Sequence, residues 1–141
     1  MKKYLIIAAI AALAAVSCSN TSVEERREAF KTEIQQFMEN YNESMAAIKG
    51  DDSLSDEQKA QKMEQTTSAA QDSYKEICMA AIKKNKDNDI AIDALQNVFY
   101  MLEPSELETV IASLADSLQH TEFVEKISAS IRSKRATEEG R

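Results

Sequence analysis

Turn-forming residues are so scarce in this chain that they decide what it can fold into. Its 141 residues contain two glycines, Gly50 and Gly140, and one proline, Pro104. A β-sandwich or barrel turns about every 8–12 residues and needs Gly, Pro, Asn or Asp there. Phosphate-binding loops and dinucleotide-binding fingerprints also need glycines that this chain lacks. With 43% apolar residues, too many for a disordered chain, the sequence predicts an all-α fold of single-domain length.

The first 17 residues have the pattern of a secretory signal peptide. Residues 1–3 include two lysines, and residues 4–16 form an uninterrupted apolar run. As a helix, this run would be about 20 Å long, which is shorter than the roughly 30 Å hydrocarbon core of a bilayer. A basic start, a short apolar stretch and small residues after it are typical of a cleaved leader rather than a membrane span.

The end of the leader, Ala15-Val16-Ser17-Cys18, resembles the lipobox of bacterial lipoproteins. In that family the cysteine receives a diacylglyceryl group, a peptidase cuts before it, and the new amine is acylated. The resemblance implies removal of residues 1–17, lipidation of Cys18 and a polar tether over residues 18–22. It also implies a lipid-anchored location in the bacterial cell envelope, facing the periplasm or on the outer membrane. Ala15 stands where the family usually has leucine, and ordinary secretory cleavage with an unmodified Cys18 is the alternative.

Removal of the leader makes the chain strongly acidic. Without the two leader lysines, the 17 Lys+Arg become 15 against 24 Asp+Glu, a formal net charge of −9. Nucleic acids and anionic lipid surfaces bind cationic patches, so neither is expected as the main partner. The expected partners are the membrane, through lipidated Cys18, and a protein of unknown identity. No cofactor and no small-molecule substrate are predicted.

Apolar residues recur every three or four positions in five stretches, which is the spacing of one face of an α-helix. The first two helices have similar lengths and a short connection, which predicts a long antiparallel hairpin. Three shorter helices follow. Together they form one predicted helical domain, residues 23–135, before a loose tail over residues 136–141. The predicted helices cover residues 23–49, 55–84, 90–102, 105–118 and 121–135.

Polar residues at the predicted helix starts indicate side-chain caps, which satisfy the amide donors that a helix leaves unpaired at its N-terminus. Three starts have the Ser/Thr-x-x-Glu/Gln spacing of a capping box. Basic residues near the helix ends, at residues 83–86 and 132–135, oppose the negative end of the helix dipole. The predicted capping residues are Thr21, Ser22, Ser55, residues 87–89, Ser105 and Thr121.

The third and fourth helices have the densest apolar faces. We expect Leu95, Phe99, Leu107 and Leu114 to dominate the stability of the body, because large buried side chains contribute most to a core.

The middle of the second helix, by contrast, has small side chains. Either the two long helices approach closely over Thr67, Ala69 and Ala70, or this segment is dynamic; close approach is favoured.

Residues that could carry chemistry each have a simpler structural interpretation. His120 has no second His or Cys at ligand spacing, and Cys78 lies on the apolar side of the second helix, where a buried inert thiol is expected. Five methionines could in principle bind copper(I), but their spacing favours filling of the core. They are Met38, Met45, Met63, Met79 and Met101.

The loop after the first helix imitates a calcium-binding loop through Asp51, Ser53, Ser55 and Glu57. An EF-hand needs glycine at its sixth position and glutamate at its twelfth, where this chain has Asp56 and Lys62, so we reject that site. No catalytic residue and no metal ligand are predicted, and the chain is expected not to be an enzyme.

Residues 54–59, 80–88 and 102–107 resemble a helical region of TlpA-type thiol–disulfide oxidoreductases, which are bacterial lipoproteins. In that family the region precedes a thioredoxin-like domain, and residues 136–140 are similar to the entry into that domain. The resemblance covers residues 54–140.

The sequence departs from the family where the redox chemistry would begin. It stops at Arg141, so the Trp-Cys-x-x-Cys site and the cis-proline of the family have no counterpart here. Two hypotheses follow: a non-enzymatic helical lipoprotein that binds or positions a partner, or the N-terminal helical fragment of such an oxidoreductase. An open reading frame that continued into a Trp-Cys-x-x-Cys motif would favour the second.

Overall fold

The computed structural model describes residues 21–140, and every regular element in that range is helical. The all-α prediction is confirmed. Residues 1–20, with the predicted leader and Cys18, lie outside the described residues. None of the described helices combines the length and apolarity that crossing a bilayer requires. The helices are α1 (Val23–Lys49), α2 (Asp56–Lys84), α3 (Ile90–Val98), α4 (Pro104–Ser113), α5 (Asp116–Gln119) and α6 (Glu122–Glu139).

The two long helices begin with the capping boxes that their sequences predict. At α1, the Glu25 amide donates to the Ser22 hydroxyl at 3.1 Å, and the Ser22 amide donates back to the Glu25 carboxylate at 3.3 Å. At α2, Gln58 and Ser55 make the same exchange at 3.2 and 2.9 Å. Each box satisfies two donors that would otherwise lack intrahelical partners.

The chain divides into two compact units, one ending at Tyr74 and the other beginning at Lys75. The boundary falls inside α2, so this helix contributes its first part to one unit and its last part to the other. The single helical domain predicted for residues 23–135 stays a prediction.

In the first unit, contacts along both helices join α1 to α2. The Lys59 ammonium donates to the Lys49 carbonyl at 2.9 Å. The hydroxyls of Tyr41 and Thr67 lie 2.9 Å apart, and the rings of Phe37 and Tyr74 lie 5.6 Å apart. From one contact to the next, the residue number on α2 rises while the residue number on α1 falls, which is the order of antiparallel helices.

The close approach expected over small residues of α2 differs in detail from the structure. Thr67 is half-buried and makes the Tyr41 contact, and Ala70 is half-buried, but Ala69 is exposed. The helix period explains the difference, because Ala69 lies about 200° around the helix from Thr67.

The second unit holds most of the buried apolar side chains of the described chain. α3 buries five of its nine residues, among them Ile90, Leu95 and Val98. α6 packs against α3, α4 and α5. The other buried apolar residues of this unit are Cys78, Ala81, Ile82, Leu102, Leu107, Val110, Leu114, Leu118, Val124, Ile127 and Ile131.

A turn built on asparagine joins α2 to α3. The Asn85 side chain donates to the Ala81 carbonyl at 2.8 Å and accepts from the Asn88 side chain at 3.2 Å. The Asn88 side chain accepts from the Ile90 amide at 3.0 Å. The predicted cap of α3 within residues 87–89 is thus supplied by Asn88, while Asp89 makes no side-chain cap.

The third predicted helix ends earlier than its apolar pattern indicates. α3 stops at Val98, and a 3-10 turn, Phe99–Met101, follows it. The next helix begins at Pro104, with Glu103 at the N-cap position rather than Ser105. Proline favours the first helical position and holds the residue before it extended, which explains both the start and the cap.

The fourth predicted helix is interrupted. Leu114 and Ala115 are extended between α4 and α5, although neither is Gly or Pro. The Ala115 amide donates to the carbonyl of Lys86 at 2.9 Å instead of to its own helix. A tertiary hydrogen bond therefore replaces a helical one, and both Leu114 and Leu118 remain buried.

The expected loose tail is helical as far as Glu139, although its side chains are exposed. Arg135 holds it by an ion pair with Glu108 of α4, at 2.7 Å. The cations at residues 132–135 consequently lie inside α6 rather than in its last turn. Thr121 occupies the N-cap of α6, but its hydroxyl donates to the Leu118 carbonyl at 2.7 Å and accepts no hydrogen bond from the helix amides.

Candidate functional site

The predicted lipidation site, Cys18, lies outside the described residues and stays a prediction. The other cysteine, Cys78, is 0% exposed in the core of the second unit and makes no disulfide. This position agrees with the buried thiol that the sequence predicts. Thiol reactivity needs access for the reagent, and the surrounding side chains deny it here.

The residues that resemble metal ligands in the sequence either lie apart from one another or form hydrogen bonds within a turn. His120 is exposed, and its Nδ1 lies 3.7 Å from the Glu125 carboxylate. The Asp51 carboxylate accepts hydrogen bonds from the amide and hydroxyl of Ser53, which closes the turn after α1. Across residues 21–140, no group of three or more His, Cys, Asp or Glu is arranged to hold a metal ion.

The expectation that the methionines fill the core is wrong. None of the five belongs to the buried set: Met38 is exposed, and Met45, Met63, Met79 and Met101 are half-buried. They lie at the margins of the helix faces, where an unbranched, flexible side chain can adapt to an irregular surface.

The second unit displays three aromatic rings that we call the aromatic cluster: Phe99, Tyr100 and Phe123. The centroids of Phe99 and Tyr100 are 6.0 Å apart at an interplanar angle of 89°. Those of Phe99 and Phe123 are 5.5 Å apart at 80°. Both pairs have the edge-to-face geometry that aromatic quadrupoles favour, so the three rings support one another.

The aromatic cluster is open to solvent. Tyr100 is 71% exposed and Phe99 is 36% exposed. The prediction that Phe99 is a core residue is therefore wrong. The helix period is the physical reason, since at 100° per residue Phe99 falls at the edge of the face that Leu95 and Val98 bury, and Tyr100 falls beyond it.

Local bonds fix the backbone that carries Phe99 and Tyr100. The Leu102 amide donates to the Phe99 carbonyl at 3.2 Å and closes the turn. Just beyond it, the Glu106 carboxylate accepts from the Glu103 amide at 2.9 Å and from the Lys75 ammonium at 3.1 Å. These two hydrogen bonds, first the amide and then the lysine, hold the pKa of Glu106 below its usual value of 4.5.

The stretch of sequence that contains the aromatic cluster carries charge of one sign. Residues 87–125, which contain all three rings, include nine Asp+Glu and no Lys or Arg. This acidic stretch carries more negative charge than the net −7 of the whole sequence. The sequence reasoning missed it because it balanced charge over the chain and not along it. The adjacent pair Phe99-Tyr100 inside a stretch without cations was the available signal.

Comparison with known protein families, curated proteins and solved structures finds no match to this chain. The resemblance of residues 54–140 to TlpA-type oxidoreductases therefore stays a prediction.

Proposed function

We propose that this protein is a non-enzymatic, lipid-anchored helical protein of the bacterial cell envelope that binds or positions a partner protein. The observation that carries the proposal is the sequence Ala15-Val16-Ser17-Cys18 directly after a short apolar run with a basic start. Two or three acyl chains on Cys18 would anchor the protein stably, because each buried CH2 contributes about 0.8 kcal/mol.

The position of α1 supports an anchoring role for the N-terminus. The N-cap of α1 is Ser22, only four residues after Cys18. A fully extended chain of that length spans at most about 14 Å. The start of α1 would thus stay close to the membrane surface, and its 27 residues form a rod of about 40 Å.

The aromatic cluster supports the partner-binding role. Exposed aromatic side chains on a folded body are typical of protein–protein interfaces, where Tyr and Phe are enriched in the contact core. Edge-to-face packing holds the rings in place before a partner arrives, which lowers the entropy that binding must offset.

Substitution of the two cysteines separately tests the anchor. Cys18→Ala should abolish incorporation of labelled palmitate and move the protein from the membrane fraction to the soluble fraction. Cys78→Ala is the matched control, since it removes the other cysteine and should leave both readouts unchanged. A Cys18→Ala protein that stayed membrane-bound with its leader removed would show that lipidation is the wrong explanation.

A further inference from the structure

We propose that the aromatic cluster is the docking surface for a cationic segment of a partner protein, whose Lys or Arg side chains lie against the rings. This inference rests on the proposed partner-binding role, and it names the chemistry of the partner. It does not depend on lipidation of Cys18.

The rings offer the surface that such a segment needs. Tyr100, at 71% exposed, presents most of its ring to solvent, while Phe99 beside it is backed by Phe123. The face of an aromatic ring is the negative part of its quadrupole and attracts Lys ammonium and Arg guanidinium groups. A cation held there keeps its aliphatic stem against the neighbouring ring, which also covers apolar area.

The surrounding charge favours a cation over any other occupant. Basic side chains from outside the acidic stretch form ion pairs with it: Lys75 with Glu106, Arg135 with Glu108, and Lys126 with Glu122. Their N–O distances are 3.1, 2.7 and 2.7 Å. Carboxylate groups of the acidic stretch thus already form ion pairs with basic side chains from other parts of the chain.

Two acidic residues flank the aromatic cluster closely in the sequence. Glu103 is exposed and lies three residues after Tyr100, and Glu125 is exposed and lies two residues after Phe123. Charges of this kind act over about 8–10 Å at ordinary ionic strength, so they add to the attraction of a cation at the rings. They also raise the rate at which a basic partner encounters the surface.

The same charge disfavours the other candidate occupants. A second copy of this chain, docked through the same surface, would bring like charges together in a symmetric contact. An anionic lipid surface would be repelled. A basic protein segment is the occupant that matches both the rings and their surroundings.

Fluorescence anisotropy of a labelled peptide tests the proposal. The probe is a twelve-residue peptide of alternating Arg and Ala, and a Glu–Ala peptide of equal length serves as the comparison. Binding is measured to the full protein in a nonionic detergent. The Arg–Ala peptide should bind, the Glu–Ala peptide should not, and added salt should weaken binding. Tyr100→Ala should weaken it about two- to fivefold, the size of one exposed cation–π contact, whereas Tyr100→Phe should preserve it.

A pair of charge-matched variants separates this surface from general attraction to an acidic protein. Glu103→Gln with Glu125→Gln removes two charges beside the aromatic cluster. Glu43→Gln with Glu64→Gln removes two charges from exposed positions in the first unit. The first pair should weaken binding more than the second. Equal effects of the two pairs would overturn the proposal, as would unchanged binding by Tyr100→Ala.

Vesicles of neutral phosphatidylcholine test the remaining alternative, which is that the aromatic cluster contacts a membrane. The Cys18→Ala protein should not bind them through the rings. If adding Tyr100→Ala to Cys18→Ala lowered vesicle binding while Tyr100→Ala left peptide binding intact, the surface would be a membrane contact and the proposal would be wrong. Failure of the lipidation test would leave all of these results unaffected.

Discussion

Asn85 shows how a single buried polar residue can set the path of the chain. It is 4% exposed, and its side chain both donates to Ala81 and accepts from Asn88. A buried side-chain amide that is hydrogen-bonded contributes modestly to the free energy of unfolding. Its removal costs more, because its former hydrogen-bond partners are left buried and unsatisfied. The turn between α2 and α3 therefore depends on this side chain, and not only on the hydrophobic residues around it.

Asn85→Ala should destabilise the protein by about 1–3 kcal/mol, because the Ala81 carbonyl and the Asn88 amide lose a buried partner. Urea denaturation followed by circular dichroism measures the change. Asn97→Ala is the matched control: Asn97 also donates to a backbone carbonyl one turn earlier, at 2.9 Å, but it is exposed. Its replacement should cost less than about 0.5 kcal/mol. Equal costs for both variants would show that the Asn85 turn has no special role.

The hydrogen bonds of Glu106 predict how the stability of the fold changes at acidic pH. Its hydrogen bonds with the Glu103 amide and Lys75 hold its pKa below the usual value of 4.5 in the folded state. The ionised carboxylate therefore stabilises the fold above about pH 4.5, and this contribution is lost as the pH falls through the folded pKa. Glu106→Gln should be less stable than the parent at neutral pH, and the difference should shrink as the pH falls below about 4.

Chemical denaturation at neutral pH and at about pH 3 measures this difference. Glu64→Gln, at an exposed position of α2, should show no such convergence. A gap between Glu106→Gln and the parent that stayed constant over this range would mean that the two hydrogen bonds do not favour the ionised form.

At the scale of single elements, the chain passes from core to surface at the end of α3. Leu95 is fully buried, whereas Phe99 is 36% exposed one helical turn later. Leu95→Ala should therefore cost about 2–5 kcal/mol, the range for a large-to-small change in a packed core. Phe99→Ala should cost less, although it removes more atoms, because part of the ring already faces water. Urea midpoints of the two variants decide the order, and a larger loss for Phe99 would place that ring in the core after all.

Sequence reasoning succeeded where an element is determined locally. The boxes at Ser22 and Ser55 involve residues three positions apart, so their pattern is visible without a fold. It failed where a distant partner intervenes. The break at Leu114 depends on the bond between Ala115 and Lys86, and the helical tail is tied by Arg135 to Glu108. Neither interaction has a signature in the local sequence.

The aromatic cluster could have been predicted only in part. Apolar spacing assigned Phe99 to the buried face because Phe99 lies one helical turn after Leu95. That spacing does not distinguish the centre of a buried face from its edge, where Phe99 lies. The lack of cations over residues 87–125 was visible from the start, and the proposal of a cationic partner rests on it.

At the scale of the whole molecule, charge and hydrophobicity are distributed unevenly along the chain. The apolar run lies at the N-terminus, and most of the described core belongs to the second unit. The acidic stretch of the sequence contains the three residues of the aromatic cluster. The division at Tyr74 could not be foreseen, since the apolar pattern of α2 passes through it without interruption. The membrane attachment and the partner contact that we propose thus involve different parts of the chain.

Intact mass spectrometry of the protein isolated from bacterial membranes tests the central claim most directly. The lipoprotein interpretation predicts a chain that begins at Cys18 and carries the mass of a diacylglyceryl group, with or without a further acyl chain on the amine. The Cys78 thiol should be unmodified in the same spectrum. A chain that retained residues 1–17, or that began elsewhere with an unmodified Cys18, would contradict the claim.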